Sequence, residues 1–199
     1  MSLEKLYEQL GSSTDKKLED TSGASKSSSA PPVEQWNPPY CGEIDLQIHA
    51  NGDWYYGGTI FKRLALVKLF ASVMRKEETA QGDHYFLVTP VEKVKITVED
   101  APFILSQWRW LDEQQSVMEV ETTLGDCFVL DSERQFSFAE DGSIYVNIRG
   151  NLQAKVHRNV YYQWAELATS VASDDASVQQ EDTELFFISA GYKFSLGFY

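Results

Sequence analysis

Two glycine-centred segments combine a turn, a following helical pattern and basic side chains. In the first, Gly57-Gly58 precedes Thr59, a candidate helix N-cap, and the cations Lys62 and Arg63. Free N–H groups at a helix N-terminus bind anions, and nearby cations strengthen that binding. The segment therefore predicts an anion site, with a plain turn and N-cap as the alternative, because the glycine spacing of the known phosphate-binding loops is absent.

The second segment lies nearer the C-terminus. Gly150 precedes a helical pattern, Arg149 stands directly before it, and Lys155 and Arg158 follow. These cations stand out in a chain whose formal net charge is −13. We expect a small anionic molecule, such as a nucleotide messenger, to bind the two basic sets and neighbouring aromatic rings: Gly57, Gly58, Lys62, Arg63, Arg149, Gly150, Arg158, Trp54 and Tyr55.

Reactive side chains are scattered along the chain. His49, His84 and His157 form no metal-binding motif, and no serine lies in a nucleophile elbow. We therefore predict no catalytic residue, no metal site and no cofactor. The alternative is an enzyme that uses Asp53, Glu92 or His157 as an acid or base, in a site between two structural units.

Short alternating segments predict β-strands along most of the chain. Residues 43–50 alternate apolar and polar side chains, Asn51-Gly52 is a hairpin signal, and residues 104–149 suggest an antiparallel meander. The last residues, 184–199, predict one bent strand or a hairpin. Apolar residues at helical spacing predict two helices, over 60–74 and 151–168.

An internal repeat organises these elements. The order of turn, strand, glycine break, helix, polar loop and strand begins at Asn51-Gly52 and recurs from Asp141-Gly142, with Tyr55 and Tyr145 at matching points. We predict an α+β fold of two similar units, each a mostly antiparallel sheet with one helix packed on it. The units are residues 33–98 and residues 99–199, the second with a longer β-meander.

The ends and the bulk composition narrow the class of protein. Residues 1–32 are rich in Ser, Lys, Asp and Glu and predict a disordered or loosely helical tail. The charge of −13 argues against nucleic acid and anionic membranes as partners. Two cysteines are too few for a disulfide framework, and no signal peptide or long apolar run is present. We expect a cytoplasmic protein.

Several segments resemble the bacterial family DUF1285, whose function is unknown. They are GEIDLQIHANGDWYYGGTI, KLFASVM, YFLVTPVEKVKITVEDAPF, IYVNIRGNLQAKVHR and ISAGYKFSLG. The resemblance extends over about residues 33–197, and TPVEKV and VEDAPF are its most specific parts. It implies a cytoplasmic bacterial α+β protein with structural repeats. It implies no established activity, and signalling or regulation is the role it suggests. We expect the family to favour Asp-Gly before the first Trp, whereas this chain has Asn51-Gly52-Asp53, so an acidic role at position 51 is not carried over.

These observations favour a non-enzymatic ligand-binding or regulatory protein over an enzyme. Its expected partner is a small anionic ligand or another protein, in bacterial signal transduction. The sequence leaves the ligand, the partner and the oligomeric state open.

Overall fold

The computed structural model describes residues 31–80, 82–172 and 183–198. The chain divides into two units, residues 1–100 and residues 101–199. The tail predicted for residues 1–32 lies almost entirely outside the described residues. Within them, no helix is long and apolar enough to cross a membrane.

Unit 1 is a six-stranded sheet with one helix, α1 (Leu64–Ser72). A 3-10 turn at Val33–Gln35 precedes the sheet. The strands are β1 (Tyr40–Ile48), β2 (Trp54–Tyr56), β3 (Thr59–Ile60), β4 (Met74–Thr79), β5 (Gly82–Val88) and β6 (Lys93–Val98). Their spatial order is β3-β2-β1-β6-β5-β4, with β1 and β6 parallel and the other neighbours antiparallel.

The helix predicted over 60–74 is wrong at both ends. Gly57 and Gly58, with φ angles of 55° and 70°, form the turn of a hairpin in which Thr59 and Ile60 pair with β2. Thr59 is therefore a strand residue and no helix cap. The helix begins after Arg63, whose side chain makes no capping hydrogen bond. Two consecutive positive φ angles are typical of a tight hairpin turn, which glycine adopts without strain, and this turn preference prevails over the helical spacing.

Unit 2 has nine strands and the helix α2 (Arg158–Leu167) among the described residues. The strands are β7 (Phe103–Trp110), β8 (Met118–Thr122), β9 (Cys127–Val129), β10 (Phe136–Phe138), β11 (Ile144–Arg149), β12 (Leu152–Val156), β13 (Thr169–Ala172), β14 (Thr183–Ser189) and β15 (Tyr192–Phe198). One sheet has the order β10-β11-β12-β7-β8-β9, and a second has the order β13-β14-β15. Only β12 and β7 pair in parallel among these described strands. Of the two alternatives predicted for residues 184–199, one bent strand or a hairpin, the structure has the hairpin of β14 and β15.

The helix predicted over 151–168 is wrong in its first part, which is strand β12. Leu152, Ala154 and Val156 are buried on one face of this strand, while Gln153 and Lys155 on the other face are half-buried. This alternation has the period of a strand. The helix itself begins at Arg158, after His157 as N-cap.

The predicted repeat is confirmed at its hairpin turns. The Asp53 N–H donates to the Asn51 side-chain oxygen at 3.0 Å, and the Ser143 N–H donates to the Asp141 side-chain oxygen at 2.9 Å. The glycine within each turn has a positive φ, 85° and 79°. The two turns therefore fold alike, because the side-chain oxygen of the uncharged Asn51 accepts the same hydrogen bond as that of Asp141.

The elements after each turn also correspond. The order β1-β2-β3-α1-β4-β5-β6 in unit 1 matches β10-β11-β12-α2-β13-β14-β15 in unit 2. Tyr55 pairs with Gln47, and Tyr145 pairs with Ser137, at the same distance from the turn. Each unit thus has a six-stranded sheet and one helix, but in unit 2 the repeated strands are divided between the six-stranded sheet, which also contains β7 to β9, and the sheet β13-β14-β15. The predicted α+β class is confirmed.

Aromatic packing holds α2 to unit 2. Trp164 is fully buried and stacks on Phe136 with ring centroids 5.6 Å apart. Phe187 lies 5.2 Å from Trp164 and 5.6 Å from Phe194, and Phe194 lies 5.0 Å from Phe136. The cluster therefore joins α2, β10, β14 and β15 into one core.

A buried hydroxyl ties the C-terminal hairpin to the meander. The Ser189 hydroxyl is fully buried, donates to the Leu130 carbonyl at 2.7 Å and accepts from the Met118 N–H at 2.9 Å. Replacing Ser189 with alanine should lower the free energy of unfolding by about 1–3 kcal/mol, because both backbone groups lose a buried partner. Urea denaturation measures this loss. The exposed Ser116→Ala is the control, and an equal effect of both substitutions would contradict the prediction.

Candidate functional site

The first set of predicted ligand-binding residues is not at a helix N-terminus. Gly57 and Gly58 turn the β2–β3 hairpin, and Lys62 and Arg63 lie exposed between β3 and α1. Because α1 begins only at Leu64, its first N–H groups are separated from the glycines by a strand. The helix-terminus anion site expected there is therefore not formed.

The two aromatic candidates of unit 1 have structural neighbours. Trp54 is 3 % exposed and belongs to the core of the sheet. Tyr55 is half-buried, with its ring centroid 4.2 Å from that of His49, and the His49 Nδ1 lies 3.5 Å from a carboxylate oxygen of Glu99. The Trp54 and Tyr55 rings thus pack within the sheet and beside its turn.

The second basic set is divided between a hairpin and a helix. Gly150 turns from β11 to β12 with a φ of 54°, and Arg149 is the last residue of β11. Lys155 lies on β12, and Arg158 is the first residue of α2. Of this set, Lys155 and Arg158 line a common groove.

This groove lies at the N-terminal end of α2 and has a volume of about 290 Å³. Three elements form it: the β10–β11 turn, the end of β12 and the first turns of α2. We name it the α2 groove. Its polar side chains are Asp141, Ser143, Lys155, Arg158, Tyr161 and Tyr162.

Arg158 supplies positive charge to the α2 groove. Its Nε donates to the Tyr162 hydroxyl at 2.9 Å, and its guanidinium carbon lies 5.4 Å from the centre of that ring. No carboxylate among the described residues forms an ion pair with this guanidinium. The tyrosine therefore orients the guanidinium without neutralising it.

Lys155 and Asp141 are the other two charged groups of the groove. Hydrogen bonds from the Ser143 N–H and hydroxyl lower the pKa of the Asp141 carboxyl, and Lys155 lowers it further. The Lys155 Nζ lies 5.8 Å from the centre of the Tyr145 ring. The residues that line the groove therefore include two cations and one carboxylate, and the turn of that carboxylate already binds it.

The helix adds to this positive potential. The His157 Nδ1 accepts from the Asn159 N–H at 3.2 Å, which caps α2. The aligned peptide dipoles of a helix place partial positive charge at its N-terminus, where Arg158 stands. Geometry and charge together favour a small anion in the α2 groove.

Sequence reasoning missed the tyrosines of the groove. Tyr161 and Tyr162 are adjacent on α2, with ring centroids 5.7 Å apart. The signal that could have found them is the repeat, because it marks the Asp141-Gly142 turn that faces them across the groove.

The family follows from comparisons with known proteins. Residues 31–101 match the N-terminal domain of DUF1285, a domain of unknown function, and residues 102–196 match the C-terminal domain. The chain belongs to the DUF1285 family. The boundary between these DUF1285 domains falls beside the boundary between the two units. The resemblance seen in the sequence is confirmed.

Two solved structures are similar to this DUF1285 chain. A DUF1285 family protein from Silicibacter pomeroyi DSS-3 is 31 % identical with a TM-score of 0.71, over 90 % of this chain and 97 % of that chain. Another from Shewanella baltica OS155 is 32 % identical with a TM-score of 0.49, over 62 % of this chain and 91 % of that chain. A search of curated proteins finds no match.

Proposed function

We propose that this DUF1285 protein is a non-enzymatic binding protein that holds a small anionic ligand in the α2 groove. The observation that carries the proposal is the placement of Lys155 and Arg158 together, at the capped N-terminus of α2 and beside two tyrosine rings. Cations at a helix N-terminus, beside aromatic faces, are a usual means of binding a phosphate or carboxylate group attached to a flat ring.

The size of the groove limits the ligand. Its volume of about 290 Å³ is just below the range of small-molecule sites, which begins at about 300 Å³. A small phosphorylated metabolite or a mononucleotide matches this volume better than a polymer does. The chain charge of −13 also disfavours a nucleic-acid strand, whose long backbone would meet repulsion outside the groove.

A cytoplasmic role in bacterial signalling accords with such binding. The related structure with a TM-score of 0.71 comes from Silicibacter pomeroyi, a bacterium. A protein that binds a small anion reversibly, with no reaction, can report the concentration of that anion to a partner.

The alternative is an enzyme with an acid–base residue. Glu92 favours it, because this residue is 6 % exposed and its Oε1 has no hydrogen-bond partner among the described residues. The other two candidates have structural contacts: Asp53 accepts from the Asn51 amide, and His157 caps α2. No group of three or more potential metal ligands occurs in the described part of the chain. Binding therefore has the stronger support.

Loss of positive charge from the α2 groove should abolish anion binding. We expect inorganic phosphate or adenosine monophosphate to raise the melting temperature, since a ligand at about a hundred times its Kd stabilises by about 2.7 kcal/mol. The double substitution Lys155→Ala and Arg158→Ala should remove this shift. The exposed pair Lys62→Ala and Arg63→Ala removes equal charge and should retain the shift. A shift in melting temperature that persists in the Lys155→Ala, Arg158→Ala variant would refute the proposal. So would the absence of any shift in the unmodified chain with all the nucleotides and metabolites tested.

A further inference from the structure

Two corresponding strands are paired in unit 1 and separate in unit 2. In the repeat, β10 corresponds to β1 and β15 corresponds to β6. Strands β1 and β6 pair in parallel and join the two halves of their sheet. In unit 2, β10 ends one sheet and β15 ends the other, with no strand among the described residues on the outer edge of either.

A groove of about 420 Å³ lies between these two strands. Phe136 and Phe138 of β10 line one side, and residues 192–195 of β15 line the other. We name it the β10/β15 groove. It is separate from the α2 groove, and none of the residues that line one groove lines the other.

The backbone of β10 directs hydrogen-bonding groups into this groove. The Ala139 N–H bonds to Ser143 and the Gln135 carbonyl bonds to Asn147, so the odd-numbered residues of β10 bond to β11. Hydrogen-bonding alternates along an antiparallel strand. The N–H and C=O groups of Phe136 and Phe138 therefore point away from β11, toward the groove.

The backbone of β15 does the same from the opposite side. The two-residue turn at Ala190-Gly191 makes Ser189 and Tyr192 the first paired residues of the hairpin. By the same alternation, Lys193 directs its N–H and C=O groups away from β14. Both sides of the β10/β15 groove thus present strand edges.

The side chains around the groove indicate what kind of segment fits. Phe136 and Phe194 provide an apolar floor, and Phe138 and Tyr192 are 50 % and 49 % exposed at the rim. Arg134 also lines the groove, and its Nη1 donates to the Ile148 carbonyl, while no carboxylate among the described residues forms an ion pair with it. An apolar surface beside a guanidinium without a counter-ion matches apolar side chains next to a carboxylate.

We propose that the β10/β15 groove binds an extended segment of a partner protein, which adds a strand between β10 and β15. The segment has apolar side chains at alternate positions, directed at the aromatic floor, and one carboxylate that reaches Arg134. Strand addition of this kind takes its affinity from backbone hydrogen bonds and its specificity from alternate side chains. The proposal is independent of anion binding at the α2 groove.

A random peptide library displayed on phage tests the proposal against the immobilised full chain. Selection includes depletion on the Phe138→Lys variant, which places a charge at the rim of the groove. An enriched peptide is then synthesised, and its binding is followed by fluorescence polarisation. We expect alternating apolar residues with one Asp or Glu, and binding at least about tenfold weaker to Phe138→Lys and Tyr192→Lys.

Three comparisons test whether the peptide binds in this groove and whether it binds as a strand. Leu111→Lys changes a residue of similar exposure, 48 %, outside the groove and should bind the peptide as the unmodified chain does. Methylation of alternate peptide amides should abolish binding, since it removes backbone donors. Each of three results would overturn the proposal. They are a library with no peptide enriched relative to the Phe138→Lys variant, a methylated peptide that binds as tightly as the unmethylated one, and equal losses of affinity in Leu111→Lys and Phe138→Lys. Arg158→Ala should bind the peptide normally, which separates this test from that of the α2 groove.

Discussion

Replacing Trp164 with alanine is expected to lower the free energy of unfolding of unit 2 by about 3–5 kcal/mol. The side chain is fully buried, and it contacts Phe136 of β10 and Phe187 of β14. Its removal leaves a cavity at the point where α2 packs on both sheets. Because α2 also carries Arg158, the substitution should weaken anion binding as well, even at temperatures where the variant is folded.

Two further substitutions make this measurement specific. The Trp164 Nε1 is buried without a hydrogen-bond partner among the described residues, so Trp164→Phe removes an unsatisfied donor and keeps most of the apolar surface. It should cost clearly less than Trp164→Ala in urea denaturation. Trp108 is half-buried and donates to Gln163 on α2, so Trp108→Ala should also cost less. A small loss for Trp164→Ala would show that this cluster does not hold α2.

The strands of the fold were predictable because their signals are local. Alternation in β1 identified the face that buries Leu46 and Ile48, and Asn51-Gly52 identified the turn after it. The glycines at 57, 58 and 150 were ambiguous, since a glycine can end a hairpin strand or precede a helix with little difference in sequence. The hydroxyl and basic residues after these glycines favoured a helix start. The structure instead has hairpins, because the residues after the glycines pair with β2 and β11.

The candidate site depended on contacts that no local pattern encodes. Lys155 and Arg158 were recognisable as cations near a helix start, but their neighbours across the α2 groove come from the β10–β11 turn. The parallel pairs β1–β6 and β12–β7 join strands far apart in the chain, so sequence spacing carries no information about them. The β10/β15 groove was unpredictable for the same reason.

The repeat also shows how one residue class serves two purposes. In the repeat β5 corresponds to β14, and Thr89 directly after β5 and Ser189 at the end of β14 are both fully buried. The Thr89 hydroxyl accepts from the Val91 and Glu92 N–H groups and so stabilises its own turn. The Ser189 hydroxyl instead bonds to Met118 and Leu130 of the meander. The extra strands of unit 2 therefore supply backbone partners to the hydroxyl at this position.

Replacing Glu77 with glutamine should destabilise unit 1 by about 1.5–3 kcal/mol at neutral pH, because a partly buried carboxylate, 32 % exposed, loses its charge-assisted hydrogen bonds. Glu77 accepts from Arg75 at 2.6 Å and from Lys93 at 3.0 Å, and these cations have side chains only 12 % and 17 % exposed. Without the carboxylate, two largely buried positive charges lose their counter-ion. Glu119→Gln is the matched control, because it releases Arg109, whose side chain is 70 % exposed and stays hydrated, and it should cost about 1 kcal/mol or less.

The cost of Glu77→Gln should disappear in acid. Burial alone would raise the pKa of Glu77, but the hydrogen bonds from Lys93 and Arg75 prevail and hold it below its ordinary value of 4.5. The folded protein therefore releases this proton more readily than the unfolded chain. The carboxylate contributes its full stability above about pH 4.5, and the contribution is lost as the pH falls through the lowered pKa.

Denaturation curves from pH 7 downward should show the unmodified chain and Glu77→Gln converging in their free energies of unfolding, since a protonated glutamate resembles glutamine. The chain has a pI near 4.6, so circular dichroism at low protein concentration limits precipitation there. A difference in stability that stays constant from pH 7 to pH 3 would show that the charge of Glu77 does not bind the two cations.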